Sequence, residues 1–176
     1  MSPIDLVPWN ENGYELLVRL NAPEMTEHVG GPETEVQVRY RHERYLSSTL
    51  RGPMFLIVLD GREIGSVGYW PREWRGRAVY ETGYGVLPEY QGRGFAVAAL
   101  QLCAERAAHE GTLSWLHAFP AVGNAASNAV CRKAGFERVG ECAFEYPPGV
   151  YIRSNDWRLP LAGPARPQPP WPAGSS

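Results

Sequence analysis

Lysine is almost missing from this chain. Lys133 is the only one, and every other basic residue among the 17 Lys and Arg is arginine. With 19 acidic residues the formal net charge is −2, which gives no sign of the polybasic surface that nucleic acid or an anionic membrane demands. Cysteine is scarce as well. Cys103, Cys131 and Cys142 are odd in number and far apart, so they show neither a disulfide framework nor metal-ligand spacing. The four histidines, His28, His42, His109 and His117, are scattered and lack metal spacing, so no metal site is expected. No apolar run is long enough to span a bilayer and none at the N-terminus resembles a secretion signal, so a cytoplasmic location is the default expectation.

What remains is ordinary globular material. The 176 residues are 44% hydrophobic and 20% charged, as in a single domain with a proper core. That domain is expected over residues 1–161. Residues 162–176 are too rich in Pro and Gly to pack and read as a mobile tail.

One stretch organises the rest. Ala78 to Leu87 holds Val, Tyr and Thr, residue types that suit a strand, and Pro88 ends it. Gln91-Gly-Arg-Gly-Phe-Ala96 follows, and the apolar spacing then lengthens to that of a helix, with Val97, Leu100, Cys103, Ala104 and Ala107 on one face. A glycine-rich loop opening a helix offers unpaired N–H groups and the positive end of the helix dipole to a bulky anion. Gly92 and Gly94 let that anion approach the backbone, and Arg93 adds charge. The same glycines could serve only as a tight turn and cap.

The remaining elements are read in order. Ile4 to Trp9 is a short strand, Asn12 an N-cap for the helix Tyr14–Leu20, Pro23 to His28 a helical turn, and Glu33 to Ser48 a longer helix. Met54–Leu59, the Asp60-Gly61 turn and Ile64–Trp70 form a hairpin. A loop over residues 71–76 leads into the central strand. After the long helix come the strand Leu113–Ala118, the helix Asn124–Ala134, and closing strands over Phe136–Tyr146 and Asp156–Leu161.

Two motifs carry a family resemblance. Gln91, Gly94 and Ala96, in the pattern Gln-x-x-Gly-x-Ala behind a strand ending Gly-Val-x-Pro, resemble motif A of the GCN5-related N-acetyltransferases. Asn124-x-x-Ser127-Asn128, with Lys133-Ala-Gly-Phe136 closing its helix, resembles motif B, most closely in the branch of ribosomal-protein N-terminal acetyltransferases. The resemblance implies an α/β (α+β) fold with a mixed, mostly antiparallel sheet, splayed parallel strands and flanking helices. It implies an acyl-CoA-dependent N-acyltransferase that moves acetyl from acetyl-CoA to a primary amine, either a protein N-terminus or a small molecule.

Residue by residue, the resemblance places the pyrophosphate of acetyl-CoA on Gln91, Gly92, Arg93, Gly94, Phe95 and Ala96. The pantetheine arm would lie along Val86 and Leu87 in the manner of an added strand, with Asn124 and Asn128 facing it. Asn124 also suits a plain helix cap. Ser127 matches the serine that protonates the leaving thiolate. For the base, Glu145 matches a glutamate on the penultimate strand, one residue out of step, and Glu81 matches a position on the central strand used by other members. Either carboxylate could instead pair with an arginine such as Arg77. Tyr84 and Tyr146 are further proton donors to weigh, His117 ends a strand near the cofactor, and Trp70 and Trp74 could line the acceptor cleft. A non-catalytic acyl-CoA-binding module and a different acyl donor are the rival readings. A homodimer stays open.

Overall fold

The computed structural model describes residues 3–47 and 52–161. The expected tail at 162–176 and the end of the expected helix at Ser48 lie outside them.

Among the described residues, seven strands form one sheet in the order β1-β2-β3-β4-β5-β7-β6. β1 (Asp5–Pro8), β2 (Met54–Leu59), β3 (Arg62–Trp74) and β4 (Arg77–Val86) are an antiparallel meander. β5 (Trp115–Ala118) joins β4 in the one parallel pair, and β7 (Tyr151–Pro160) joins β5 antiparallel with β6 (Glu137–Glu145) outside it. The expected mixed, mostly antiparallel sheet is present. β2 reads as a continuous apolar run because both its faces are buried. Phe55, Ile57 and Leu59 enter the core on one side, Met54 and Leu56 the core on the other.

Helices cover the two faces. α1 (Gly13–Leu20), the single turn α2 (Pro23–Thr26) and α3 (Glu35–Leu46) lie on one side, where Leu16, Leu17 and Val38 pack with Trp9, Leu56 and Leu87. α4 (Phe95–Glu110) and α5 (Ala125–Lys133) lie on the other, where Ala99, Leu100, Cys103 and Cys131 meet Tyr80, Leu116 and Trp157. The α4 face expected from the sequence is the buried one, except that Val97 is only partly covered. Residues of β4 therefore divide by parity. Tyr80, Thr82, Tyr84 and Val86 point toward α4 and α5, while Glu81, Gly83 and Gly85 point toward α1 and α3.

Three local expectations need correction. The loop expected at residues 71–76 is mostly strand: β3 runs on to Trp74, and a two-residue turn at Arg75 (φ 49°) and Gly76 (φ 76°) replaces it. Asn12 stands at the N-cap position of α1, but its side chain makes no cap bond. Its Nδ2 donates to Glu63 Oε1 at 3.3 Å, and the Asn10 carboxamide takes the Asn12 N–H at 2.9 Å instead. The last strand starts at Tyr151, five residues before the expected Asp156, because it pairs with β6 down to Glu145↔Tyr151.

Candidate active site

The site forms where β4 and β5 part. Their parallel ladder covers Tyr80↔Leu116 and Glu81↔His117, after which residues 82–86 of β4 continue without a pair on that side among the described residues. The Leu87 N–H donates to Ile64 O at 2.8 Å across β3, so by the alternation of an antiparallel ladder the N–H groups of Tyr84 and Val86 point away from β3, into the gap. The Val86 carbonyl is already occupied, accepting from Gln91 Nε2 at 2.8 Å. Leu87 itself is packed into the core on the α1 side.

Beyond β4 comes a short 3-10 turn, Pro88–Tyr90, and then the glycine loop. Gly92 (φ 72°) and Gly94 (φ 82°) both adopt the left-handed conformation, and open space surrounds the position where a Cβ would stand at each. Gly94 caps α4 with no side chain over the first turn, so the N–H groups of Phe95, Ala96 and Val97 face outward with the helix dipole behind them. The exposed Arg93 guanidinium lies 4.9 Å from the Phe95 ring and 5.9 Å from the Tyr90 ring. A concave, donor-rich, 16-residue helix start suits a pyrophosphate.

On the α5 side of the gap, hydroxyls meet. Tyr84 Oη is 2.7 Å from Ser127 Oγ, 3.1 Å from Ser127 O and 3.4 Å from Cys131 Sγ. Burial holds the Tyr84 phenol well above its ordinary value, and burial pushes the Cys131 thiol up to about 11. Both stay protonated at neutral pH, leaving Tyr84 and Ser127 a proton-bearing pair beside the gap. Asn124 caps α5, its Oδ1 accepting the Ser127 N–H at 3.1 Å, which orients Ser127 on the first turn.

Asn128 is fully committed within the protein. Its Nδ2 donates to the carbonyls of Ala121 (3.0 Å) and Asn124 (2.8 Å), and its Oδ1 accepts from Asn155 Nδ2 (2.8 Å) and Trp157 Nε1 (2.9 Å). It ties α5 to β7 and leaves no side-chain group for a ligand.

The opposite face holds a second set, only partly legible beforehand. Glu81 Oε2 accepts from Trp70 Nε1 at 2.9 Å and from Arg72 Nη1 at 3.1 Å, so its arginine is Arg72 and not Arg77. Trp70 reaches across because residue 83 is glycine: a Cβ there would come within 2.9 Å of the indole. Arg72 in turn lies over the Phe144 ring at 4.3 Å, beside Phe119 and Trp74 at 5.7 Å each. Next to Glu81, His117 Nδ1 is 2.6 Å from Asp156 Oδ1, and Asp156 Oδ2 accepts from Trp74 Nε1 at 3.0 Å. Phe119 stacks on His117, 17° from parallel. Sequence reasoning missed Arg72 and Asp156. Alternation along β3 after Trp70 was the available signal for Arg72, and nothing local marked Asp156.

Glu145 stands apart from both sets, at the end of β6. Its oxygens accept from Gly149 N–H at 2.8 Å and Tyr151 Oη at 3.3 Å, which closes its own hairpin in solvent. The neighbouring Tyr146 Oη accepts from Arg41 Nη2 of α3 at 2.9 Å, joining the hairpin to the helix across the cleft.

A splayed parallel pair, a glycine loop opening a helix at its end, and hydroxyl and carboxylate groups on either side define a transferase that holds an elongated, phosphate-bearing donor within its sheet. Residues 4–137 match the acetyltransferase (GNAT) domain family, and the chain belongs to that family, whose members are acyl-CoA-dependent N-acyltransferases. By sequence alone, no curated protein matches the chain. Among solved structures it is similar to the ribosomal-protein α-N-acetyltransferase RimL in complex with coenzyme A, at 20% identity and a TM-score of 0.75 over 92% of this chain and 96% of that one. An aminoglycoside acetyltransferase in complex with coenzyme A matches at 18% identity and a TM-score of 0.75, over 90% and 95% of the two chains. Spermidine N-acetyltransferase from Vibrio cholerae, in complex with CoA and spermine, matches at 15% identity and a TM-score of 0.72, again over 90% and 95%. At these identities the likeness speaks for the fold.

Proposed function

We propose that this chain transfers acetyl from acetyl-CoA to a primary amine, on a protein N-terminus or a small molecule, through the gap between β4 and β5. The observation that carries the reading is the ladder ending at Glu81–His117 with inward N–H groups beyond it. Pantetheine takes the place of the missing strand there, along Val86. The pyrophosphate rests on Gln91 to Ala96, where the left-handed glycines leave room.

The chain's own groups supply the chemistry. The N–H of Tyr84 or Val86 polarises the thioester carbonyl, from a place already aimed into the gap. Ser127, backed by Tyr84 at 2.7 Å, gives its proton to the departing sulfur. Glu81, fixed by Trp70 and Arg72, presents an anion to the incoming ammonium. The same Glu81 oxygen takes both of those hydrogen bonds, which fixes the carboxylate in place as an anchor. The rings of Trp74, Phe119 and Phe144 already carry the Arg72 guanidinium, which leaves Trp70 as the aromatic group beside Glu81. Solved relatives that act on a ribosomal protein, aminoglycosides and spermidine support an amine acceptor.

The test is release of coenzyme A thiol from acetyl-CoA with a panel of N-terminal peptides, amino acids, polyamines and aminoglycosides, against enzyme-only blanks. Release with one class is the expected result and names the acceptor. Tight acetyl-CoA binding with silence across the panel would put a non-catalytic acyl-CoA-binding module in its place.

A further inference from the structure

We infer that His117, oriented by Asp156, is the general base that takes the proton from the acceptor amine, an assignment that rests on the acetyltransferase reading above. His117 is the last residue of β5 paired to β4 before the strands part, and its register neighbour is Glu81, the proposed ammonium anchor. Register neighbours share a face of the sheet, so the imidazole and the anchor stand side by side at the apex of the gap. Tyr84 and Ser127 stand on the other face. Proton acceptance and proton donation are thereby separated by the sheet itself.

The hydrogen bonding selects the useful tautomer. Asp156 is 2% exposed and its oxygens accept from Trp74 Nε1–H at 3.0 Å and from His117 at 2.6 Å. An ionised carboxylate can only accept, so Nδ1 of the neutral ring carries the hydrogen and Nε2 keeps its lone pair. The two ring nitrogens point in nearly opposite directions. With Nδ1 turned to Asp156 on β7, Nε2 turns to the β4 side, and among the described residues it has no hydrogen-bond partner. Phe119 stacked on the ring holds its plane. Asp156 and Trp74 are positioning residues; His117 is the group that meets the amine.

The charged and titratable groups around the ring are Glu81 on β4, Arg72 of β3 bonded to it, Asp156 and Arg158 on β7, and Cys142 of β6, which feels Asp156. Arg158 is itself paired with Glu137 at 3.6 Å, and Arg75 acts on Cys142 together with Arg72.

The step balances. One ammonium proton passes to Nε2, and the freed lone pair forms the C–N bond as the C–S bond breaks. Nitrogen sheds its second proton to water on becoming an amide, sulfur takes one from Ser127, which Tyr84 and water resupply, and His117 returns its own proton to water.

The experiment compares wild type with His117→Gln and Asp156→Asn on the best amine of the panel, measuring kcat/KM against pH and acetyl-CoA affinity by calorimetry. For His117→Gln we expect a fall in kcat/KM on the order of 100-fold, loss of the acidic limb of the profile, and acetyl-CoA affinity within about twofold of wild type. For Asp156→Asn we expect a comparable loss of rate. A His117→Gln enzyme within about threefold of wild type, with the limb unchanged, overturns the assignment while leaving the acetyltransferase reading intact. A wild type silent on every amine removes both.

Should the variants not fold, ¹⁵N-histidine NMR of the unaltered protein decides. The Nδ1–H tautomer is expected. The Nε2–H tautomer, or a ring doubly protonated throughout the active pH range, overturns it.

Discussion

At the scale of single residues, the acid end of the proposed mechanism rests on two oxygens 2.7 Å apart, Tyr84 Oη and Ser127 Oγ. Burial keeps the phenol protonated, so the pair always holds protons, and the hydroxyl nearer the sulfur is resupplied by the one behind it. Removing either should slow the same step. We expect Ser127→Ala and Tyr84→Phe each to lower kcat by roughly 10- to 100-fold with KM for acetyl-CoA nearly unchanged, and the double variant to lose little more than the worse single one. Steady-state kinetics of the four proteins checks this. Additive losses would show the hydroxyls acting separately.

At the scale of elements, α5 depends on β7 for its place. Asn128 serves four partners, the side chains of Asn155 and Trp157 on β7 and the carbonyls of Ala121 and Asn124 at the head of α5. Its motif reading as a ligand contact gives way to a joint: the asparagine sets how α5 presents Ser127 to the gap. Asn128→Ala would strand the Trp157 indole N–H and the Asn155 amide, each at a cost of about 1–3 kcal/mol. We expect a loss of about 2–4 kcal/mol in urea-induced unfolding, with acetyl-CoA affinity changed far less than stability. An affinity loss larger than the stability loss would return Asn128 to the ligand.

At the scale of the whole molecule, the packing of α4 and α5 on the sheet makes stability depend on alkaline pH. Burial pushes the Cys103 thiol up to about 12 and the Cys131 thiol up to about 11, from an ordinary value of 9.0. Both values are raised in the folded state, so above the ordinary value the unfolded chain sheds thiol protons that the folded chain keeps. Stability is therefore fully present below about pH 9 and falls as pH climbs toward 11 and 12. The Cys131 share is about 3 kcal/mol at most, at about 1.4 kcal/mol per pH unit. Urea midpoints measured under reducing conditions from pH 8 to 11 should fall, and Cys131→Ala should flatten the slope. A flat wild-type curve would mean that water reaches these thiols.

Much of this protein is written locally. The apolar run Met54–Leu59, the Asp60-Gly61 turn, the strand into Pro88, the glycine loop and the Asn124 cap were all readable, because periodicity, left-handed turns and helix ends depend on residues a few positions apart. Ser127 and the loop Gln91–Ala96 belong to those local patterns, and so the elements of the proposed donor half were legible in the chain. On the proposed acceptor side the sequence offered Glu81, His117, Trp70 and Trp74 singly, and tertiary structure decided how they are joined. Trp74 and Asp156 are 82 positions apart and His117 and Asp156 are 39 apart, and they meet only because β7 enters the sheet between β5 and β6. Strand order and register are chosen by the burial of whole faces, to which no single residue pattern points. That choice put a carboxylate behind His117, gave Glu81 the guanidinium of Arg72, and left Glu145 to close a hairpin.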